Sequence, residues 1–116
     1  DMIKFYNINL TTIASGGVGS MAVPIFASGI KRFVTKHTDI FLHDLGFSPD
    51  RDERLSITEL HRKSDNLEVS QKWYAEYLEE RTSGKFKASK VLKLMKAEVY
   101  LYPEEIIKLG LAHEII

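Results

Sequence analysis

The arrangement of apolar and polar positions divides the chain into short apolar runs and longer amphipathic stretches. Short runs rich in Thr, Ile, Val and Phe predict strands, and apolar residues three or four positions apart predict helices. The predicted strands are Leu10–Ala14, Lys31–Thr35, Asp39–His43 and Glu98–Leu101, with a further strand beginning at Ile115-Ile116. The predicted helices are the end of one at Asp1–Tyr6, then Ser20–Ser28, Leu55–Glu80, Phe86–Lys96 and Pro103–Leu109. This order predicts an α/β domain whose sheet is covered by helices.

The longest predicted helix, Leu55–Glu80, is polar except along one stripe. That stripe consists of Leu60, Leu67, Tyr74 and Leu78. An apolar stripe on a charged helix packs either against its own domain or against another subunit. We interpret this stripe as a surface that joins subunits, and packing within the domain is the alternative.

An uncharged segment from Phe5 to Ile30 is long enough to be considered as a membrane span. It is interrupted by Asn, Thr, four glycines and Pro24, which predicts a short strand, a glycine turn and a buried helix instead. We therefore expect no membrane association and a cytoplasmic protein.

Composition narrows the range of functions. Sixteen basic residues balance sixteen acidic ones over 116 residues, so a nucleic-acid surface is not expected. The chain has no cysteine, which excludes disulfides, thiolate nucleophiles and zinc-thiolate sites. The first residue is Asp1, and we expect either a processed chain or an upstream segment that is missing from this sequence.

A candidate nucleophile follows the first strand. Gly16, Gly17 and Gly19 predict a turn, and Ser20 opens the helix after it. A serine between a strand and a helix is typical of a nucleophile elbow. The N–H of Met21 is then the predicted donor to an oxyanion. The alternative is an ordinary helix N-cap, for which serine is a preferred residue.

A serine nucleophile needs a base and a carboxylate that orients the base. His43 ends an apolar strand and enters a loop, which makes it a better candidate than the other histidines. Those are His37, in a turn, His61, on the long charged helix, and His113, near the end of the chain. Glu98 begins a later strand and is the candidate acid, and the alternative is an ordinary, partly exposed strand terminus. Asp44, adjacent to His43, would point to the opposite face of a strand.

These segments together resemble the proteolytic subunit of the Clp protease family, in order and spacing along nearly the whole chain. The resemblance rests on Gly17–Ala22, which is similar to the family's nucleophile motif, on Ala27–Phe33, on Ile40–Gly46 around the candidate histidine, on the long helix Leu55–Glu80, and on Pro103–Ile116. The family usually has an aspartate at the position of Glu98. Its first half, which carries the other oxyanion donor and the loops that meet the ATPase, has no counterpart here.

The resemblance implies a fold and an activity. The fold is the ClpP/crotonase-like arrangement of repeated β-β-α units, here one domain fragment over residues 1–116 with a protruding handle at about 44–84. The activity is a serine endopeptidase with Ser20, His43 and Glu98 as triad, Met21 at the oxyanion, and Leu45 and Gly46 as substrate-binding residues. It implies peptides or unfolded proteins as substrates, homo-oligomeric rings, an AAA+ ATPase unfoldase as partner, and no metal or other cofactor.

Two other interpretations remain open. The first is a catalytically inactive Clp-like subunit that only builds the ring, which the glutamate at position 98 and the missing first half allow. The second is a crotonase-like enzyme that acts on acyl-coenzyme A thioesters, since such enzymes also stabilise an oxyanion with backbone N–H groups. The pairing of Ser20 with His43 argues against the second.

Overall fold

A computed structural model describes residues 8–47 and 54–116 of the chain. In chain order the strands are β1 (Thr11–Ala14), β2 (Gly17–Gly19), β3 (Lys31–Val34), β4 (Asp39–Leu42), β5 (Val99–Leu101) and β6 (Glu114–Ile115). The helices are α1 (Ala22–Ala27), α2 (Ile57–Arg81), α3 (Ala88–Ala97) and α4 (Pro103–Lys108). The predicted helix end at Asp1–Tyr6, and residues 48–53 of the loop predicted to follow His43, lie outside the described residues.

The strands form two small sheets. In one, β1, β3 and β6 are parallel, with β3 in the centre. In the other, β4 lies between β2, to which it is parallel, and β5, to which it is antiparallel. The order strand, strand, helix occurs twice in succession from β1 to α2. The fold is therefore mixed α/β, while the Clp/crotonase-like repeat and the handle remain predictions.

Two of the three glycines that predict a turn form a strand instead. Of Gly16, Gly17 and Gly19, only Gly16 has a positive φ, at 78°. Gly17 pairs with Asp39 and Gly19 with Phe41, so this segment is β2. The prediction of a turn over all three was wrong because sheet pairing uses the backbone, which glycine supplies without any apolar pattern to indicate it.

Two arginines donate hydrogen bonds to backbone carbonyls at and after the ends of helices. Arg32 is 4% exposed, and its guanidinium donates hydrogen bonds of 2.7–3.2 Å to the carbonyls of Gly29, Arg81, Gly110 and Leu111. Arg81 donates to the carbonyls of Ala27 and Gly29 at 2.8 and 3.1 Å. Carbonyls at a helix C-terminus have no partner within the helix. The two guanidinium groups satisfy several of them at once and thereby fix α1 against α2.

The apolar stripe on α2 divides into an exposed part and a buried part. Tyr74 and Leu78 are 7% and 0% exposed and belong to the core, whereas Leu60 is 43% exposed. Our interpretation of the whole stripe as a surface between subunits was therefore wrong for Tyr74 and Leu78. The C-terminal half of α2 packs on its own domain because α1 and α3 supply an apolar surface for it.

No helix within residues 8–47 and 54–116 combines the length and the apolarity that a membrane span requires.

Candidate active site

Ser20 occupies a strained turn between β2 and α1. Its φ is 52°, in the left-handed region that residues with a side chain adopt at a cost of about 1–3 kcal/mol. The helix begins two residues later than the sequence predicts, at Ala22, because Ser20 does not have helical backbone angles. Its side chain is exposed. A strained serine between a strand and a helix is the geometry of a nucleophile elbow.

The parallel pairing of β2 and β4 brings Ser20 and His43 together. Gly19 pairs with Phe41, so the residues that follow the two strands emerge at the same edge of the sheet. Ser20 Oγ lies 2.6 Å from His43 Nε2. The imidazole is half-buried beside the ring of Phe41, at 5.3 Å between centroids, and Phe41 stacks on Tyr100 at 4.5 Å. These contacts restrict the position of the histidine ring.

A backbone carbonyl determines which ring nitrogen of His43 carries the proton. Nδ1 lies 2.6 Å from the carbonyl oxygen of Asp44. A carbonyl oxygen can only accept, so Nδ1 must be the donor. In the neutral ring Nε2 is then an acceptor, and the Ser20 hydroxyl donates to it. This is the tautomer that a general base needs in order to remove the serine proton.

Glu98 lies near the end of the strand that pairs with β4. Leu42 pairs with Val99 in the antiparallel register. His43 follows Leu42 and Glu98 precedes Val99, so the two residues lie at the same end of this strand pair. Glu98 is the C-cap residue that follows α3, has a left-handed conformation with a φ of 54°, and is exposed. The hydrogen bond of Nδ1 goes to the Asp44 carbonyl. A role for the Glu98 carboxylate in orienting His43 therefore stays a prediction.

Met21 directly follows the elbow. Its backbone is helical, with φ −71° and ψ −12°, so its N–H lies in the first turn before α1. N–H groups in a first turn have no acceptor within the helix and can bind an anion. The assignment of this N–H to an oxyanion stays a prediction.

Leu45 lines a groove between the segment that follows His43 and the helices α2 and α3, and Gly46 is the next residue in the chain. The groove has a volume of about 680 Å³, and its apolar lining includes Leu45, Phe47, Leu67 and Leu92. Leu45 is half-buried and packs against the core, and Gly46 is exposed. Their predicted contact with substrate is compatible with this groove but stays a prediction.

The other histidines lie elsewhere. His37 and His61 are exposed on the surface. His113 Nδ1 accepts from the backbone N–H of Arg32 at 3.0 Å. Partial burial, together with the nearby charges of Arg32, Lys85 and Arg81, lowers the pKa of His113. Among residues 8–47 and 54–116, no three His, Asp or Glu side chains lie close enough to hold a metal ion.

Two residues that sequence reasoning missed bind the backbone of this site. The Tyr74 hydroxyl donates to the Ser20 carbonyl at 3.1 Å. The Gln71 side chain accepts from the Leu45 N–H at 3.1 Å and donates to Asp44 Oδ1 at 3.1 Å. The three-residue spacing of Gln71 and Tyr74 on a helix face was the only signal in the sequence, and it does not indicate what the polar atoms contact.

A comparison with known families bears on this arrangement. The sequence profile of the Clp protease family matches residues 1–116, which is the whole of this chain. A comparison with curated proteins gave no significant match. The chain therefore belongs to the Clp protease family.

Proposed function

We propose that this chain hydrolyses peptide bonds with Ser20 as nucleophile and His43 as general base. The observation that carries the proposal is the 2.6 Å contact between Ser20 Oγ and His43 Nε2, with Nδ1 held by the Asp44 carbonyl. Membership in the Clp protease family supports a peptidase as the general class.

The chemistry follows from the positions of these atoms. Ser20 Oγ attacks the carbonyl carbon of the scissile peptide while its proton passes to Nε2 of His43. The peptide oxygen becomes an oxyanion that accepts a hydrogen bond from the Met21 N–H. The imidazolium then returns the proton to the leaving amine, and the peptide C–N bond breaks to give an acyl-serine. A water molecule, deprotonated by the same imidazole, hydrolyses the ester and regenerates Ser20.

The remaining roles concern the acid and the substrate. Glu98 stabilises the imidazolium, because it follows α3 close to the β4–β5 edge at which His43 lies. A carboxylate near a charged ring favours the charged form.

An extended peptide, or a segment of an unfolded protein, lies against Leu45 and Gly46, and an apolar side chain enters the adjacent groove. The active assembly is a ring of identical subunits supplied with unfolded chains by an AAA+ ATPase.

No observation favours the two other interpretations. An inactive ring subunit gives no reason for a strained serine in contact with the accepting nitrogen of a histidine. An acyl-coenzyme A enzyme with backbone N–H groups at its oxyanion does not need this pair either.

The test is peptide hydrolysis by the full-length protein. Ser20→Ala removes the nucleophilic oxygen, and the turnover of a fluorogenic peptide should fall to background while the circular dichroism spectrum is retained. Ser15→Ala is a matched control, since Ser15 is an exposed serine that precedes β2, whereas Ser20 follows it. Unchanged turnover by a folded Ser20→Ala protein contradicts the proposal.

A further inference from the structure

One face of α2 reaches both partners of the candidate active site. Gln71 and Tyr74 are three residues apart and therefore neighbours on that face. Tyr74 binds the peptide of Ser20, and Gln71 binds the segment that follows His43. Two hydrogen bonds from a single helix thus meet the backbone on either side of the Ser20–His43 contact, and a third binds the Asp44 side chain.

Tyr74 holds the strained turn at Ser20. The Ser20 carbonyl accepts from the Tyr74 hydroxyl at 3.1 Å and from the Val23 N–H at 3.3 Å. A left-handed serine persists only where surrounding contacts compensate for its strain. The ring of Tyr74 is buried in the core, which gives the hydroxyl a fixed position. Burial also raises the pKa of Tyr74, so the hydroxyl keeps its proton and remains a donor.

Gln71 controls the peptide group that selects the tautomer of His43. The Asp44 carbonyl and the Leu45 N–H belong to the same peptide unit, which is planar. Its oxygen accepts from His43 Nδ1 at 2.6 Å, and its N–H donates to Gln71 Oε1 at 3.1 Å. Fixing one end of a planar unit fixes the direction of the other. Gln71 is anchored in turn because its Nε2 donates to Asp44 Oδ1.

We propose that Gln71 and Tyr74 are positioning residues of this active site. Tyr74 holds the nucleophile's peptide in its left-handed conformation, and Gln71 holds the Asp44 carbonyl toward Nδ1 of His43. The inference rests on the proposed function of Ser20 and His43.

The first test compares two tyrosines of α2 in the full-length protein. Tyr74→Phe and Tyr77→Phe each remove one hydroxyl, and the Tyr77 hydroxyl bonds to Ser28 Oγ at 2.6 Å, at the far end of α1. Tyr74→Phe should lower kcat by about 10- to 100-fold with KM unchanged within twofold, since small displacements of reacting groups reduce rates by such factors. Labelling of Ser20 by a fluorophosphonate should slow by the same factor. Tyr77→Phe should leave both rates unchanged.

The second test exchanges donor and acceptor between Gln71 and Asp44. Gln71→Met removes both hydrogen bonds of the side chain and should lower kcat by about 10-fold or more. In the double variant Gln71→Glu with Asp44→Asn, the carboxylate accepts from the Leu45 N–H and from the new amide. That variant should recover most of the lost kcat, whereas Gln71→Glu alone should not, because it brings two carboxylates together.

The outcomes separate this inference from the function on which it rests. If wild-type Ser20 neither labels nor supports turnover, both are wrong. If the wild type labels and Tyr74→Phe behaves as Tyr77→Phe does, the role of Tyr74 is refuted alone. If the double variant is no better than Gln71→Met, the role of Gln71 is refuted alone. Thermal melts accompany every variant, and a loss of kcat that follows only the loss of folded protein also overturns the inference.

Discussion

Gly29 is the residue at which a single methyl group should be most damaging. It lies between the end of α1 and β3 and is buried. A Cβ at this position would overlap Thr12 Oγ1 and would lie 3.0 Å from Thr12 Cγ2 and 3.1 Å from the carbonyl oxygen of Lys31. The φ of Gly29 is not in the left-handed region, so lack of space, rather than backbone conformation, excludes alanine.

The expected loss of stability follows from these contacts. Thr12 cannot move freely, because its hydroxyl donates to the Phe26 carbonyl at 2.7 Å. Overpacking of this kind costs about 1–3 kcal/mol, and the lost hydrogen bond costs about 1 kcal/mol. The lower entropy of an unfolded chain with alanine offsets about 0.4–1 kcal/mol. The middle of these ranges predicts that Gly29→Ala destabilises the protein by about 2 kcal/mol and lowers Tm by on the order of 10 °C.

A double-mutant cycle with Thr12 tests the cause. Thr12→Ala removes two of the three obstructing atoms. Gly29→Ala made in the Thr12→Ala background should therefore cost about 1 kcal/mol or less, a coupling well above the usual additivity error. Gly17→Ala is the control, since a Cβ there would meet only Asp39 Oδ1, at 3.7 Å, an ordinary contact. Urea unfolding followed by circular dichroism gives the free energies. Equal costs of Gly29→Ala in the two backgrounds would refute the steric explanation.

Three further predictions concern Arg32, His113 and Glu98. Arg32→Met should destabilise the protein by at least about 3 kcal/mol, measured by thermal melting, because several buried carbonyls lose a charged donor; an unchanged Tm would contradict this. The pKa of His113 is lowered in the folded state, so the folded state binds fewer protons than the unfolded state. The contribution of His113 to the free energy of unfolding is therefore complete above the unfolded pKa of about 6.5 and is lost as the pH falls toward the folded pKa. His113→Asn should reduce the decrease of Tm between pH 7 and pH 5, and an identical pH profile counts against the assignment. Glu98→Gln should lower kcat by about 10- to 100-fold, because the imidazolium loses the charge of a neighbouring carboxylate while the Asp44 carbonyl still sets the tautomer, whereas Glu98→Asp should retain part of the activity; wild-type kinetics for Glu98→Gln would exclude the role.

The helices were predicted well because their signals are local. The predicted long helix over Leu55–Glu80 agrees with α2, Ile57–Arg81, to within two residues at each end. Its start is fixed by Ser56, whose hydroxyl accepts from the Glu59 N–H, as expected of an N-cap. Pro103 begins α4, where its missing N–H is tolerated. Periodicity and end signals act over a few residues, so the sequence alone contains them.

The features that were missed depend on contacts between distant segments. The strand Gly17–Gly19 exists because β4 pairs with it, and glycine carries no apolar pattern. Tyr74 lies in the core because α1 and α3 pack against this part of α2. The apolar stripe in the sequence does not indicate which elements pack against it. The carbonyl that binds His43 Nδ1 belongs to Asp44. At the level of sequence, only the direction of the Asp44 side chain was considered and not its backbone oxygen.

The proximity of Ser20 and His43 lies between these cases. A strand followed by glycines and serine, and a second strand that ends in histidine, indicate the two residues separately. The structure places Oγ and Nε2 2.6 Å apart because β2 and β4 are parallel and in register. The sequence thus indicated Ser20 and His43 as candidates. The distance between their side chains depends on the pairing of β2 with β4, which the sequence does not show.

The most direct test of the central claim is covalent labelling of Ser20. The full-length protein is treated with a fluorophosphonate, digested, and analysed by tandem mass spectrometry to locate the modified residue. We expect the adduct on Ser20, its absence in Ser20→Ala, and much slower labelling in His43→Ala, because the hydroxyl is activated by Nε2. Peptide hydrolysis by folded protein in which Ser20 remains unmodified, or an adduct that forms equally fast without the His43 imidazole, would contradict the account.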